Sequence, residues 1–331
     1  MQWVGLIAVS LPGLAALGAL LFTWMQVGQA SKELHVSERG QITSRFNAAV
    51  GNLGSQSLDI RLGGIYALQR IMQDSARDHP TVVSVLAAFA QRHAGSSADS
   101  LKEPLVIPTV QPGVPPADSR NDTEVPPTPE PDVRAAIATL AHRRPDRDRG
   151  TVIDLSTTDL RGLRFTERAP IKLPGVDLTE ADLRLASLIG ADLHEASMYK
   201  ANLEYADLDR ANLRGADLSD ASLTGTSLDG ADLRRANMGC GYTDVETGGL
   251  YYCVNLQDSW LQGADLRNAE MSDADLRNAT LSGADLRGAD LSRSNLSNAD
   301  LTNADFRGAK LPDAKLKGAK RIGARGLPQE G

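Results

Sequence analysis

Residues 176–190 read Val176-Asp177-Leu178-Thr179-Glu180-Ala181-Asp182-Leu183-Arg184-Leu185-Ala186-Ser187-Leu188-Ile189-Gly190: a small residue, a polar one and a large apolar one, then two variable positions. The unit repeats without a miss from Leu178 to Met238, where eleven Leu and two Met fill thirteen large positions and Ala stands two residues before eleven of them. A second run of thirteen units spans Leu256 to Leu316, with eleven Leu, Met271 and Phe306 at the large position and ten Ala at the small one. A period of five fits neither the 3.6-residue helix nor the two-residue strand. Over three residues, small-polar-large alternation puts Ala and Leu on one face of an extended segment and Asp or Asn on the other. The remaining pair, as in Arg214-Gly215, Arg267-Asn268, Ser282-Gly283 and Arg287-Gly288, suits a solvated turn. Each unit is one side of a coil, and an interior of Leu and Ala explains why aromatic residues are only 4 % of the chain.

Units such as Ala191-Asp192-Leu193, Ala201-Asn202-Leu203 and Ala216-Asp217-Leu218 follow the pattern A-(D/N)-L-x-x. On them the sequence resembles the pentapeptide-repeat family, and with its N-terminal features the membrane-anchored bacterial type. The resemblance covers nearly half the chain and implies a mainly β fold, a right-handed quadrilateral β-helix with four sides to a coil. Stacking at roughly 4.8 Å per coil gives a rod on the order of 30 Å long. Ile153-Asp154-Leu155, Thr158-Asp159-Leu160 and Leu163-Arg164-Phe165 look like degenerate units of a first coil, offset by an irregular stretch through Pro170 and Pro174. A solenoid exposes an apolar end unless it is capped. The expected upstream cap is a helix begun by Asp132, with Val133, Ala136, Ile137 and Leu140 on one face and Arg143 and Arg144 in its last turn.

Upstream, Trp3 to Met25 runs twenty-three residues without a charge. About twenty apolar residues suffice to cross a bilayer. Trp3 and Trp24 stand where interfacial aromatics belong, and Pro12 is tolerable inside such a helix. A cleaved signal peptide, with Gly28 and Ala30 at the cleavage site, is the rival, but no Lys or Arg precedes the run. Lys32, Arg39 and Arg45 follow it, which predicts a single-pass anchor with the C-terminal region cytoplasmic.

Three amphipathic helices are expected between Ser37 and Ala94, on Ile42, Phe46, Val50 and Leu53, then Leu58, Leu62, Ile65 and Met72, then Val82, Leu86, Phe89 and His93. The run Asp59 to Leu68 resembles the helices of HEAT-like repeats, and Gly63 and Gly64 within it point to close approach of another backbone. Nine of the sixteen prolines fall between Pro104 and Pro131, a linker composition. The expected organisation is an anchor over 1–30, a small helical region over 31–95, a proline-rich linker over 96–131 and a capping helix and turn over 132–150. The repeat then occupies 151–325 with a loop inserted at 239–255, and 326–331 form a tail.

Met238 and Leu256 are eighteen residues apart, which breaks the register. The interruption holds both cysteines, Cys240 and Cys253, with Tyr242, Tyr251 and Tyr252, and Trp260 lies just beyond. These six residues are the candidate partner-binding loop, since aromatics on a rigid scaffold anchor partners. The cysteines either close the loop as a disulfide or stay reduced, as a cytosolic setting favours. The aromatics equally fit a role packing back on the rod.

No catalytic, metal or cofactor site is expected. The histidines, His35, His79, His93, His142 and His194, are scattered, and Asp residues spread over a convex rod do not converge in a dry cleft. The formal charge of -7 argues against direct nucleic-acid binding. Residues 173–255 carry fourteen acidic against six basic residues, whereas 256–331 carry eleven of each, with Lys310, Lys315, Lys317, Lys320, Arg321 and Arg325 near the end. The expected function is a membrane-anchored, non-enzymatic scaffold for an unnamed protein partner. The alternative rests on resemblance to quinolone-resistance pentapeptide proteins, which implies a DNA-mimicking protein that engages DNA gyrase through its acidic half.

Overall fold

A five-residue side is too short to be stable alone, so its backbone groups must be satisfied by the coils before and after it. The computed structural model describes residues 21–26, 40–100, 128–164, 171–240 and 253–328, and in them each side makes one parallel bridge to the next coil. Four columns of outward polar residues result. Asp154, Asp177, Ser197, Asp217, Asn237, Glu270, Asp290 and Lys310 form the first, and the second runs from Asp159 to Lys315, the third from Arg164 to Lys320 and the fourth from Lys172 to Arg325. Each column is eight residues deep, so the degenerate units do form the first coil, and at about 4.8 Å per coil the rod is roughly 34 Å from first level to last.

Inward positions from Leu178 through Phe306 are buried. Where Ala gives way to a hydroxyl residue, the group is satisfied internally: Ser259 Oγ donates to the Leu256 carbonyl at 2.6 Å, Ser294 Oγ to Leu291 at 2.7 Å and Thr226 Oγ1 to Leu203 at 2.8 Å. The corners are β-turns. The amide of each small residue donates to the carbonyl of the large residue three before it, as in Ala181 to Leu178 at 3.0 Å, and the residue before the small one has positive φ, the pattern of a type II turn. Gly, Asn and Asp accept that conformation at little cost. Leu185 (φ 61°) and Tyr205 (φ 57°) are held in it by the coils around them.

The Asp or Asn of each unit does more than face water. Its side-chain oxygen accepts the backbone N–H two residues on: Thr179 to Asp177 at 2.9 Å, Glu204 to Asn202 at 3.1 Å, Ser219 to Asp217 at 3.1 Å and Thr302 to Asp300 at 3.0 Å. The polar position therefore braces the corner that follows it.

The helical part comprises α1 over residues 40–53, α2 (Leu58–Asp74), α3 (His79–His93), a single turn α4 (Ser97–Ser100) and α5 (Pro131–Ala141). The three periodic stretches lie on α1, α2 and α3. Leu53, Ile65, Met72, Val82, Leu86 and Phe89 are buried, and Ile42 and Phe46 pack against them from α1. Val50 and His93 are exposed despite their place in the pattern. Gly64 is the close approach: a Cβ there would lie 2.8 Å from the Ala49 carbonyl oxygen of α1. Gly63 meets nothing within 4 Å, so the expectation holds for one glycine of the pair.

Asp132 is not the cap residue of α5. Pro131, with its φ already helical, starts the helix one residue earlier and leaves Glu130 at the cap. Asp132 is instead buried in the first turn, where Arg61 of α2 donates to it at 2.5 Å. Arg143 lies beyond the helix end, with its Nε on Asp148 at 2.8 Å and Nη1 on the Lys172 carbonyl at 2.8 Å, and His79 Nε2 meets the other Asp148 oxygen at 2.9 Å. This knot ties α3, α5 and the first coil together.

Nor does α5 meet the rod alone. Gln91 of α3 donates to Asp154 at 3.2 Å, the Ser97 amide to the Thr157 carbonyl at 2.9 Å, and the Asp159 amide to the Gly95 carbonyl at 3.2 Å. The buried side chains of the helices run into those of the first coils as one core.

Most of the expected span 3–25 and of the proline-rich linker lies outside the described residues. Residues 21–26 are helical, with Leu21, Phe22, Trp24 and Met25 exposed, and among the described residues no helix is long and apolar enough to cross a membrane.

Candidate functional site: the interruption and the charged faces

The register break sits at one corner of the rod. The chain leaves the first column after Asn237 and rejoins the second at Asn255, which pairs with Ser222. Cys240 and Cys253 face each other as an antiparallel pair and are joined by a disulfide, so of the two readings the closed loop is the one seen. The Gly239 amide on Asn237 Oδ1 at 3.2 Å keeps the corner brace intact up to the exit point. Cysteine spacing alone left this open, because a rigid coil on each side is what holds the two backbones at pairing distance. Tyr242, Tyr251 and Tyr252 lie outside the described residues.

Trp260 is not grouped with the cysteines. It occupies the outward position of the third column, between Ser227 and Thr280, half-buried, with a full side of the coil through Asn255 and Leu256 separating it from Cys253. Sequence proximity had placed it beside the loop, whereas the turn of the coil carries it to another face.

The fourth column carries a pattern that linear reading missed. Arg234, Arg267, Arg287 and Arg307 all follow the Asp-large pair of the same side, so coil stacking puts them above one another at one corner. Arg267 grips Asp265 at 2.7 Å and approaches Asp285 at 3.7 Å, and Arg234 grips Asp232 and approaches Asp265 at 3.5 Å. Hydrogen bonds from Arg234 and Arg287 hold the Asp232 and Asp285 carboxyls below the usual carboxylate range. Arg307 likewise lowers Asp305 to about 2. A five-residue period viewed every fourth unit was the available signal. Elsewhere Asp182 is gripped by Arg184 at 2.6 Å and Asp275 by Arg277 at 2.6 Å.

The acidic ladder of the first half is thus partly structural. Carboxylates that brace corners or hold guanidinium groups are committed to the rod, although Asp209 and Asp229 still cluster. Burial, opposed by the Gln262 amide and reinforced by Asp209, raises the Asp229 carboxyl. His194 Nδ1 lies 2.6 Å from Asp192, and among the described residues no group of three or more His, Cys, Asp or Glu side chains converges as a metal site would require.

A family profile described as pentapeptide repeats matches eight copies across residues 172–204, 201–239, 252–288 and 284–320. No curated protein matches the chain. Among solved structures, HetL, a pentapeptide repeat protein involved in heterocyst differentiation regulation from the cyanobacterium Nostoc sp. strain PCC 7120, is 35 % identical, with 52 % of this chain and 81 % of HetL covered and a TM-score of 0.25. A trypsin-treated QnrB1, a plasmid-mediated fluoroquinolone resistance protein, is 21 % identical over 50 % of this chain and 76 % of its own, with a TM-score of 0.32. A pentapeptide repeat protein from the Arabidopsis thaliana thylakoid lumen is 26 % identical over 36 % and 57 %, with a TM-score of 0.13.

Proposed function

The chain belongs to the pentapeptide-repeat family, and from that premise we propose that it is a membrane-anchored scaffold without enzymatic activity, whose right-handed β-helix presents a binding surface to a protein partner. One observation carries this reading: the outward residues are largely consumed in bracing corners and pairing charges, while the regular surface is broken at one corner by a disulfide-closed loop rich in tyrosine. A rigid rod whose regular sides are interrupted at a corner is suited to recognition, whereas chemistry needs convergent groups in a shielded cleft. Residues 3–25 supply the anchor, through their uncharged length and their flanking Trp3 and Trp24.

Photo-crosslinking in cells from a photoreactive residue placed at Leu250, with the tyrosines otherwise as in wild type, tests the reading. A defined partner crosslinked with the tyrosines intact and lost in a folded Tyr251→Ser, Tyr252→Ser variant supports it, and unchanged capture counts against the loop.

For orientation, Lys32, Arg39 and Arg45 after the span support a cytoplasmic rod. The opposite side is favoured by the Cys240–Cys253 disulfide, since disulfides persist in oxidising compartments. Protease protection of the rod in intact cells decides between them. The DNA-mimic alternative is weakened by the arginine pairing along the fourth column, which interrupts the acidic strip on that face. Clear inhibition of gyrase supercoiling by the protein would reinstate it.

A further inference from the structure

The rod ends in a coil unlike all those before it. Its outward positions are Lys310, Lys315, Lys320 and Arg325, one on each of the four faces, so a collar of cations closes columns in which the preceding level is Asp290, Asn295, Asp300 and Asp305. Lys310 Nζ lies 3.1 Å from Asp290 and Lys320 Nζ 3.4 Å from Asp300, but both lysine side chains remain about two-thirds exposed (69 % and 68 %). At the inward position of the third column Arg321 replaces the Leu of the coils below and donates to the Leu316 carbonyl at 3.1 Å. Leu311, Leu316, Ala309, Ala314 and Ala319, fully buried types in earlier coils, are only partly covered here.

The backbone at this end is equally unfinished. In the coil below, the Leu291, Leu296 and Leu301 amides donate to the Lys310, Lys315 and Lys320 carbonyls at 2.8 Å. The corresponding amides of Leu311 and Leu316 and the carbonyls of Ala309, Ala314 and Ala319 face a level that no described residue fills. An edge of this kind accepts an added extended segment.

A second copy is a poor occupant. Head-to-tail stacking is blocked because α3, α5 and residues 95–97 already cover the other end, and tail-to-tail stacking would bring two cationic collars together. Charge complementarity leaves an acidic partner. Resting on the scaffold reading above, we infer that the C-terminal coil is a docking site for an extended acidic segment of a protein partner, which adds to the open edge as a further level of the β-helix with carboxylates over Lys310, Lys315, Lys320 and Arg325. The level beneath already demonstrates the fit, since the same lysines meet Asp290 and Asp300 from one side and expose their remaining surface to the other.

The test uses the full chain in detergent and a fluorescent twenty-residue peptide copying residues 289–308 with the Asn at its second outward position changed to Asp. A control peptide carries Lys at its outward positions. Expected is anisotropy-detected binding of the acidic peptide alone, weakened about tenfold by Lys310→Gln, Lys315→Gln, Lys320→Gln together and by raised salt. A Lys310→Glu, Lys315→Glu, Lys320→Glu variant, checked for an unchanged circular dichroism spectrum, is expected to bind the lysine peptide instead. The neutral variant keeps the test valid should charge reversal fray the coil. No binding, or binding indifferent to these changes, overturns the inference. So does acidic-peptide silence accompanied by binding of phosphatidylserine vesicles to the rod end, which would assign the collar to a membrane surface, or by end-to-end polymers of the neutral variant, which would make it only a guard against self-stacking. Partner crosslinking from the loop that survives such a result would leave the scaffold reading standing without this site.

Discussion

The two ends of the solenoid face the same physical problem and solve it differently. At the upstream end, helices cover the open coil: buried side chains continue from α3 and α5 into the first levels, and stray backbone groups near Thr157 and Asp159 find partners in residues 95–97. At the downstream end the last coil keeps partly covered leucines and backbone positions that no described residue fills, ringed by cations. The first arrangement stores stability in packing and a buried ion pair. The second keeps an edge soluble while leaving it available, and that contrast says which end is built for structure and which for contact.

The sharpest way to break the contrast is to place a charge in each end. Ile137→Asp, at a fully buried site in α5, is expected to cost about 4 kcal/mol or more by thermal or urea denaturation, because an unpaired carboxylate enters a dry core. Leu316→Asp, in the partly covered last coil, is expected to cost only about 1 kcal/mol. Equal costs at both sites, or an unaffected Ile137→Asp protein, would remove the cap from the account.

Next in size is the knot beneath the cap. Arg143→Met leaves Asp148 with His79 as its remaining partner and frees the Lys172 carbonyl, for an expected loss of about 3 kcal/mol in urea unfolding. Hydrogen exchange should show the loss concentrated at the helix-to-rod junction, while the collar coil is unaffected.

Midway along the rod, Gly225 has φ +63° and its added Cβ would lie 2.6 Å from the Tyr205 ring. Gly225→Ala is expected to destabilise by about 2 kcal/mol, falling to about 1 kcal/mol in a Tyr205→Ser background, where only the backbone strain is left. A double-mutant cycle showing no coupling would mean that the ring swings clear without cost.

The smallest expected effect lies just below the collar. Asp305, lowered from 3.8 to about 2 by Arg307, has a folded value below its unfolded one. Its stabilising contribution is therefore complete above about pH 4 and is lost as the pH falls toward 2. Carboxyl NMR titration should find this depression in wild type and its relief in Arg307→Gln, with the Asp148 knot at the other end undisturbed.

Much of this was legible from residues alone. Thirteen plus thirteen units fixed the side length and the buried positions, because a five-residue period is consistent with no other regular structure. The helices on Ile42, Leu58 and Val82 were equally visible in their spacing. The capping role was assigned to α5, but not to α3 or to the segment at Gly95, since a backbone hydrogen bond across sixty residues leaves no periodic trace. Asp132 was misread as a cap because a surface-type residue next to a helix start is ordinarily one, and its buried partner Arg61 lies far off in sequence.

The candidate site divides the same way. The register break and its cysteines are sequence facts, whereas the closure of Cys240 on Cys253 and the removal of Trp260 to another face depend on where the corners fall. The sequence by itself determined that this protein is a coil of five-residue sides with Leu and Ala inside, because periodicity is a local property of the chain. Only the tertiary structure decided which arginines stack on one corner, which aspartates meet a cation one coil away, as Asp273 meets Arg293 and Asp290 meets Lys310, and that four cations meet as a collar on the last coil. Those relations join residues twenty or more apart, and they exist only once the chain has wound through a full turn.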